Sequence, residues 1–429
     1  MALKAVTSKK SYGMKLLLIN PTHPSTPHIS AVRAWRFAEE LATRGHQVIL
    51  LCAASSPEQL TDPDAIAVHD WQTPFVLACP MEGSGWRLQR NRLPSPIRKV
   101  VTAWRLVHHG GDLGGWIVNA RRTLQQLRGH FAPDLIWATF GMMEAPMAAR
   151  RIACDSGCPW ILDIKDNWEL YVPRSLRRFM VWRTQGWAAL TANARFTQAK
   201  ARKWQQGAAT VVYSGVDAAF FSRDLVAAPS PGQFRINLIG SLYSRDRLEI
   251  WLNGVKTWAE GLTPAQRVPV TLAYLGGDTR LFTEAVGDLA HFISIEHLGY
   301  LPVAAMAQHC RNAAVNAYIA HPGNFHHKLL ELLACQRPVL AFPEEDEESW
   351  ALAQQVAGDL QTPADASAVS QLLQRLHTRW LQGDDEPQAA SADYSWPRQA
   401  AILEQLMRQI AEHSGGVETS RMKSRRYGL

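Results

Sequence analysis

A lysine and a glutamate three residues apart, Lys328 and Glu331, stand in the stretch 322–334, which reads Pro-Gly-Asn-Phe-His-His-Lys-Leu-Leu-Glu-Leu-Leu-Ala. Pro-Gly-Asn signals a loop, so a helix is expected to begin near His326. On that helix Lys328 and Glu331 share a face, while Leu329, Leu330 and Leu333 turn toward the core. The macrodipole disfavours a cation in the first helical turn. An anion bound at the helix start would offset this conflict, with Lys328 closing over it. Glu331, a turn deeper, suits a diol, because one carboxylate can accept hydrogen bonds from two hydroxyls. The pair also reads as an ordinary i, i+3 ion pair; the ill-placed lysine favours the ligand reading.

Three other stretches carry chemistry-bearing residues at the ends of apolar runs. Gly240-Ser241-Leu242-Tyr243-Ser244-Arg245-Asp246 follows the run Arg235–Ile239. Gly240 permits close backbone approach, and Arg245 could fork onto phosphate oxygens or sit exposed on a turn. Lys165-Asp166-Asn167-Trp168 follows Trp160–Ile164, and its spacing alone reads as a salt-bridge pair capping a turn. The loop 20–29, containing His28, leads into a helix that Ser30 can cap, and the helix start offers an anion site. The adjacent pairs His108-His109 and His326-His327 diverge and lack a third ligand at a useful spacing, so no metal is expected. Glu344–Glu348 reads as an acidic first turn that needs no cofactor. Serine-hydrolase, Walker and zinc-protease motifs are absent from the sequence.

The elements that must position these residues alternate. Lys15–Asn20 is a short apolar run, a helix follows from Ser30 to Arg44 and ends at Gly45, and Val48–Cys52 is the next strand. Strands over Leu135–Ala138, Trp160–Ile164 and Val211–Tyr213, with a helix over Met142–Cys154, continue the pattern. A second alternation takes in Arg235–Ile239, Val270–Leu275, Ile293–Ile295, Ala314–Tyr318 and Pro338–Ala341. This predicts an α/β protein of two doubly wound, Rossmann-like domains facing across a cleft, with a C-terminal helix crossing back to the first domain. The expected bounds are a leader over 1–13, a first domain over 14–220, a linker over 221–233, a second domain over 234–389, a crossover helix over 390–413 and a basic tail over 414–429.

Composition narrows the function classes. The 429 residues are 19% charged and 47% hydrophobic, which excludes a disordered chain. The net charge of +7 is split unevenly: residues 1–220 hold 27 Lys/Arg against 15 Asp/Glu, and residues 221–429 hold 18 against 23. A basic half joined to an acidic half implies different partners for the two domains. Two stretches concentrate the basic charge. Residues 87–128 have nine Lys/Arg, one acid, Trp104 and Trp116; residues 174–204 have eight Lys/Arg, no acid, and Trp182, Trp187 and Trp204. They read either as solvated helix faces with inward tryptophans or as a surface for an anionic membrane. They contain no recognised nucleic-acid motif, so no nucleic-acid partner is expected. No run reaches the roughly 18 apolar residues that span a bilayer. The six scattered cysteines read as free thiols of a reducing compartment, so a cytoplasmic location, peripheral on the membrane face, is expected.

With these residues in view, the chain resembles the retaining, nucleotide-sugar-dependent glycosyltransferases of family four, which have the GT-B fold. The resemblance spans about residues 14–410. It rests on Arg44-Gly45-His46-Gln47-Val48, on Pro133-Asp134-Leu135-Ile136, and on Asp163-Ile164-Lys165-Asp166-Asn167-Trp168, similar to the D-x-R-D-x-W strand end of one subgroup. It continues in Ser214-Gly215-Val216-Asp217 with Phe220, in Gly240-Ser241-Leu242-Tyr243, in Lys328-x-x-Glu331 running into Ala334–Val339, and in Tyr394-Ser395-Trp396. The resemblance implies transfer of a sugar from a nucleotide-sugar to a glycan or lipid-linked acceptor in cell-surface polysaccharide or glycolipid synthesis, without a metal or cofactor. Arg245, Lys328 and Asp166 would be catalytic. Gly240, Ser241, Asn324 and Glu331 would hold the donor, and His28 and Ser30 would form the acceptor or phosphate loop. Gly323 stands where many members carry a glutamate, eight positions before Glu331. This leaves a catalytically silent GT-B subunit that binds a nucleotide or partner as the alternative.

Overall fold

The structure, a computed structural model, describes residues 13–26, 28–81, 93–170, 172–221, 232–321, 323, 325–383 and 391–426, with side chains at 170 and beyond 413 excepted. Most of the expected leader and linker, and Asn324, lie outside the described residues. The chain divides into two compact units: Met1–Tyr213 together with Gln399–Leu429, and Ser214–Arg398.

The first unit is built on a parallel sheet of seven strands: β1 (Lys15–Ile19), β2 (Gln47–Ala54), β3 (Phe75–Pro80), β4 (Leu135–Phe140), β5 (Trp160–Ile164), β6 (Ala189–Ala192) and β7 (Ala209–Val211). Their order in the sheet is 3-2-1-4-5-6-7. Helices cover both faces, so β1, β2 and β4 are buried along nearly their whole length, as continuous apolar runs require. The second unit repeats the plan with β8 (Phe234–Ile239), β9 (Val270–Leu275), β10 (Ser294–His297), β11 (Val315–Ile319), β12 (Val339–Phe342) and β13 (Leu360–Gln361), in the order 10-9-8-11-12-13. In each unit the strand order reverses beside the first strand, between β1 and β4 and between β8 and β11. Ligands of such sheets bind at the carboxyl ends of those strands.

Several expectations need correction. β3, β6 and β13 are not foreseen: β3 follows the polar stretch at 69–74, β6 is the small-residue run Ala-Leu-Thr-Ala, and β13 has two residues. The unit boundary lies at 213/214, earlier than the linker expected over 221–233. Val216 bridges to Ser395, Gly215 packs against Trp396, and the Arg311 guanidinium donates to the Ala219 carbonyl, which ties 214–221 to the second unit. A side chain at Gly215 would place its Cβ 2.5 Å from the Trp396 backbone. The last helix, Trp396–Arg426, runs through most of the expected tail. From Gln399 onward it belongs to the first unit: Gln399 accepts from the Tyr213 N–H at 3.0 Å, and Glu404 meets His46 at 3.1 Å and Arg44 at 3.2 Å.

Asp163 of the Asp-Ile-Lys-Asp sequence turns inward. It receives the guanidinium of fully buried Arg33 through two bonds of 2.9 and 3.1 Å, and the Thr191 hydroxyl at 2.8 Å. Arg33 also donates to the Val212 carbonyl at 2.9 Å and lies over the Phe37 and Trp137 rings. The pair thus joins the first helix (Ile29–Thr43), β5 and the segment after β7. Removing one partner leaves the other charge buried alone, a loss of about 3–5 kcal/mol. Asp163→Ala is therefore expected to lower the unfolding free energy obtained from urea titration by that amount. The double variant Arg33→Met/Asp163→Leu should recover a large part of it; a double variant as unstable as the two single losses summed would contradict the coupling.

Candidate functional site

Each unit gathers polar side chains at the reversal of its own strand order. In the first unit, loops after β1, β4 and β5 and the helix Ser95–His109 line a cavity of about 560 Å³. Asn20 orders the loop after β1 by donating to the Ser30 carbonyl at 2.6 Å and to its hydroxyl at 3.1 Å, and by accepting from the Thr22 N–H at 3.1 Å. Ser30 is expected to cap the helix, but the cap is His28, whose Nδ1 accepts the Ser30 N–H at 3.1 Å. Ser30 lies inside the helix, buried, because its hydroxyl is used by Asn20. Burial, then the charge of Lys165, lowers the His28 pKa, and Asp166 opposes them. Lys165 lies 2.9 Å from Asp166, with the lysine end buried and the carboxylate partly open to the cavity. His28, Ser30 and Asp166 thus line one cavity. A side chain at Gly141 would reach 3.0 Å from the Ser30 hydroxyl and 3.9 Å from the Asp166 carboxylate. With Nδ1 accepting the Ser30 N–H, a neutral His28 carries its proton on Nε2 and can donate to a hydroxyl, while the partly open Asp166 carboxylate can accept from one.

Glu144 also lines this cavity, buried, with its carboxylate accepting the Leu113 N–H at 2.9 Å. It escaped the sequence reading although it opens the helix directly after β4, the same kind of position that drew attention to Asp166.

In the second unit β8 ends at Ile239 and the chain turns at Gly240, whose φ of +87° is costly for any other residue. The turn is fixed by the Gly240 N–H on the Leu275 carbonyl at 2.8 Å, by the Tyr274 hydroxyl on the Gly240 carbonyl at 2.9 Å, and by the Leu242 N–H on Asp278 at 2.9 Å. Lys328, the first residue of the helix Lys328–Ala334, reaches into this turn and donates to the Ile239 carbonyl at 3.3 Å. A Cβ at position 240 would stand 1.7 Å from its Nζ. Burial pushes the Lys328 pKa down to about 8, against the attraction of Glu331 and Asp278. Burial pushes Glu331 up to about 7, with Lys328 opposing and Asp217 adding to the rise. Lys328 thus lies at the carboxyl end of β8, while Glu331, 3.9 Å from His327, is near enough for the two opposite charges to oppose each other's desolvation.

The other expected donor residues are less central. Ser241 is exposed at the turn. Arg245 is more than half exposed and its guanidinium is engaged by Glu249 at 2.7 Å and Glu284 at 3.5 Å, an i, i+4 pairing that sequence spacing alone would allow. Arg247, passed over in the sequence, reaches the strand-order reversal instead and donates to the Ala320 carbonyl just after β11 at 2.8 Å. Gly323 has φ +98°, a conformation that disfavours the glutamate of the resembled family. The loop is pinned by His326, whose Nε2 accepts the His321 N–H at 2.9 Å and whose Nδ1 meets Glu345 at 2.9 Å. Glu345 also takes the hydroxyls of Tyr318 at 2.5 Å and Ser349 at 2.9 Å. The acidic run 344–348 is therefore not all first turn: the helix starts at Glu347, Asp346 caps it, and Glu345 turns inward.

Residues 30–213 match the family described as the glycosyl transferase 4-like domain. No curated protein matches the sequence. Among solved structures, Anabaena HepE, determined in complex with UDP and glucose, is similar at 15% identity and a TM-score of 0.57, with 95% of this chain and 100% of that one covered. Sucrose-phosphate synthase from Thermosynechococcus elongatus is similar at 14% identity and 0.59, covering 96% and 100%. A glycosyltransferase from Rickettsia africae is similar at 12% and 0.62, covering 93% and 98%. The chain has the GT-B-like fold, two Rossmann-like α/β units with a C-terminal helix, and its residues 30–213 are related to the glycosyl transferase 4-like domain.

Gly240→Ala is expected to cost about 1–2 kcal/mol for the positive φ alone, plus a term for displacing Lys328. Lys328→Ala in the same chain should remove only the second term. Strictly additive urea midpoints for the two single variants and the double would refute the contact.

Proposed function

We propose that the protein is a glycosyltransferase that moves a sugar, with retention, from a nucleotide-sugar to a glycan or lipid-linked acceptor in cell-surface polysaccharide or glycolipid synthesis. The observation that carries this reading is Lys328 and Glu331 at the carboxyl end of β8, around a turn that only glycine allows. Glu331 accepts the ribose hydroxyls, and Lys328 with the Ser241 N–H holds the diphosphate. The complexes of HepE with UDP and with UDP-glucose support a uridine nucleotide as the first ligand to test. As the bond from sugar to phosphate breaks, negative charge grows on the departing diphosphate. The Lys328 ammonium, fixed before the reaction begins, stabilises it; losing one such group typically lowers the rate by ~10²–10³. Asp166 and His28 of the first unit orient the acceptor hydroxyl. The engagement of Arg245 with Glu249 and Glu284 assigns it a supporting part, contacting phosphate only after leaving them. The basic stretches 87–128 and 174–204 would hold the enzyme peripherally on the cytoplasmic membrane face.

The silent-subunit reading draws on Gly323, whose positive φ disfavours the family glutamate. Calorimetry with UDP and a donor-hydrolysis assay separate the two: binding with turnover supports the enzyme, and binding without turnover supports the silent subunit. Lys328→Ala is expected to lower turnover by ~10²–10³; an unchanged rate would refute its assignment.

The two pKa shifts set a window for binding. Below about pH 7 Glu331 takes up a proton and ceases to accept two hydroxyl bonds, and above about pH 8 Lys328 loses its charge. UDP affinity should therefore peak between these values, with calorimetric Kd rising on both sides. Glu331→Gln should flatten the acid limb alone, whereas an acid limb persisting in that variant would assign it to another group.

A further inference from the structure

The first unit holds a second cavity, of about 270 Å³, lined by Arg121, Arg150, Arg151 and Arg183 with Met147, Cys154 and Asp155. It shares no lining residue with the cavity that holds Asp166. Its charge is lopsided. Asp155 is engaged by Arg121, through a bond of 2.7 Å from Nη2 and a second, shorter one from Nε. Arg150 and Arg183 donate to carbonyls, of Arg183 at 2.8 Å and of Val107 at 3.1 Å respectively, which orient them without neutralising them. Arg151 is half-buried and, among the described residues, pairs with no carboxylate. Burial, then the nearby charges of Arg183 and Arg121, lowers its pKa. Three guanidinium groups thus stand uncompensated around one concavity, an arrangement that costs free energy unless an anion completes it.

The surroundings identify the anion. The carbonyls that orient Arg150 and Arg183 belong to the helix Arg177–Arg183 and to the helix Ser95–His109. The first of these exposes Trp182, and the second exposes Ile97, Val100 and Trp104 at helical spacing, with only Leu106 of its fifteen residues buried. Arg98, Lys99, Arg174 and Arg178 flank these apolar groups. Apolar and tryptophan side chains among cations suit the interface of an anionic bilayer. Trp116, Trp187 and Trp204, by contrast, turn inward: Trp116 is fully buried and donates to the Cys52 carbonyl at 2.9 Å, Trp187 bonds Gln205 at 3.1 Å, and Trp204 bonds Glu169 at 2.7 Å. Among the described residues of the two basic stretches, the exposed tryptophans are therefore Trp104 and Trp182, on the two helices whose carbonyls orient the cavity's arginines.

We propose that the cavity formed by Arg121, Arg150, Arg151 and Arg183 is a binding site for the phosphate headgroup of an anionic phospholipid, with Trp182 and the apolar face of Ser95–His109 entering the adjoining bilayer interface. Guanidinium forks match phosphate oxygens, and the cavity has room for a phosphate with its glycerol. The inference rests on the proposed peripheral membrane location but not on sugar transfer.

The test is cosedimentation of the full-length protein with vesicles of phosphatidylglycerol and phosphatidylcholine, and with pure phosphatidylcholine. Arg151→Gln leaves no partner stranded and is expected to keep the melting temperature while weakening binding to anionic vesicles by about fivefold, the effect of one basic residue near such a surface. Trp182→Ala should weaken it as well, and Arg178→Gln, an exposed cation outside the cavity, should weaken it less than Arg151→Gln. Equal losses for Arg151→Gln and Arg178→Gln, or none for Arg151→Gln, would overturn the headgroup site while leaving a diffuse membrane attraction intact. No binding of the unmodified protein to anionic vesicles would overturn the membrane location and this site together. Thermal stabilisation by inorganic phosphate that Arg151→Gln abolishes, without vesicle binding, would assign the cavity to a free phosphate instead.

Discussion

Keeping a lysine and a glutamate charged while both are crowded by protein is the constraint around which the second unit is arranged. Lys328 needs space for its ammonium group, and Gly240 supplies it by having no side chain and by turning the chain where β8 ends. The turn must then hold its own shape, which Tyr274 and Asp278 ensure by bonding its backbone from β9 and the loop beyond. Glu331 cannot move away because the leucines around it are buried in the core. Desolvation works against both charges, and each partly rescues the other.

The first unit solves a different problem. Its loop after β5 must present Asp166 to a cavity beside the buried Lys165, and the strand end is locked from behind by Arg33 and Asp163. Two acids three residues apart therefore have unlike parts: Asp163 is consumed by a buried guanidinium, and Asp166 keeps a partly open carboxylate. Alternation along a strand explains the split, since a side chain inside the sheet meets the helix layer while one past its end meets the loops. The same cavity takes a buried acid from the helix after β4, so its polar character comes from three separate strand ends.

The basic charge of this unit is likewise not uniform. Part of it is spent on Asp163 in the interior, on Asp155 at the surface and on carbonyl groups at helix ends. What is left gathers where two helices expose tryptophan and aliphatic side chains. Such a pairing of cations with unburied apolar groups is compatible with a charged lipid surface.

Much of the architecture was legible from the chain itself. Continuous apolar runs of five or six residues, each ending at a polar or glycine-rich loop, could only be buried parallel strands, and their repetition implied two doubly wound units. The placing of Lys328 against Glu331 followed from helical spacing, and the weight given to strand ends led to Gly240 and Asp166. The short strands β6 and β13 were invisible because small or few side chains carry no periodic signal, and the early boundary at Ser214 depended on a bridge to Ser395, 179 residues away. Which acid is buried, which arginine is engaged and which tryptophan is exposed could not be read from composition. Glu249 and Glu284 claim Arg245, Arg33 claims Asp163, and Cys52 receives Trp116 only once distant segments pack together. Local pattern determined the elements because periodicity is a property of neighbours in the chain, while tertiary structure decided the partners because charge and burial are properties of neighbours in space.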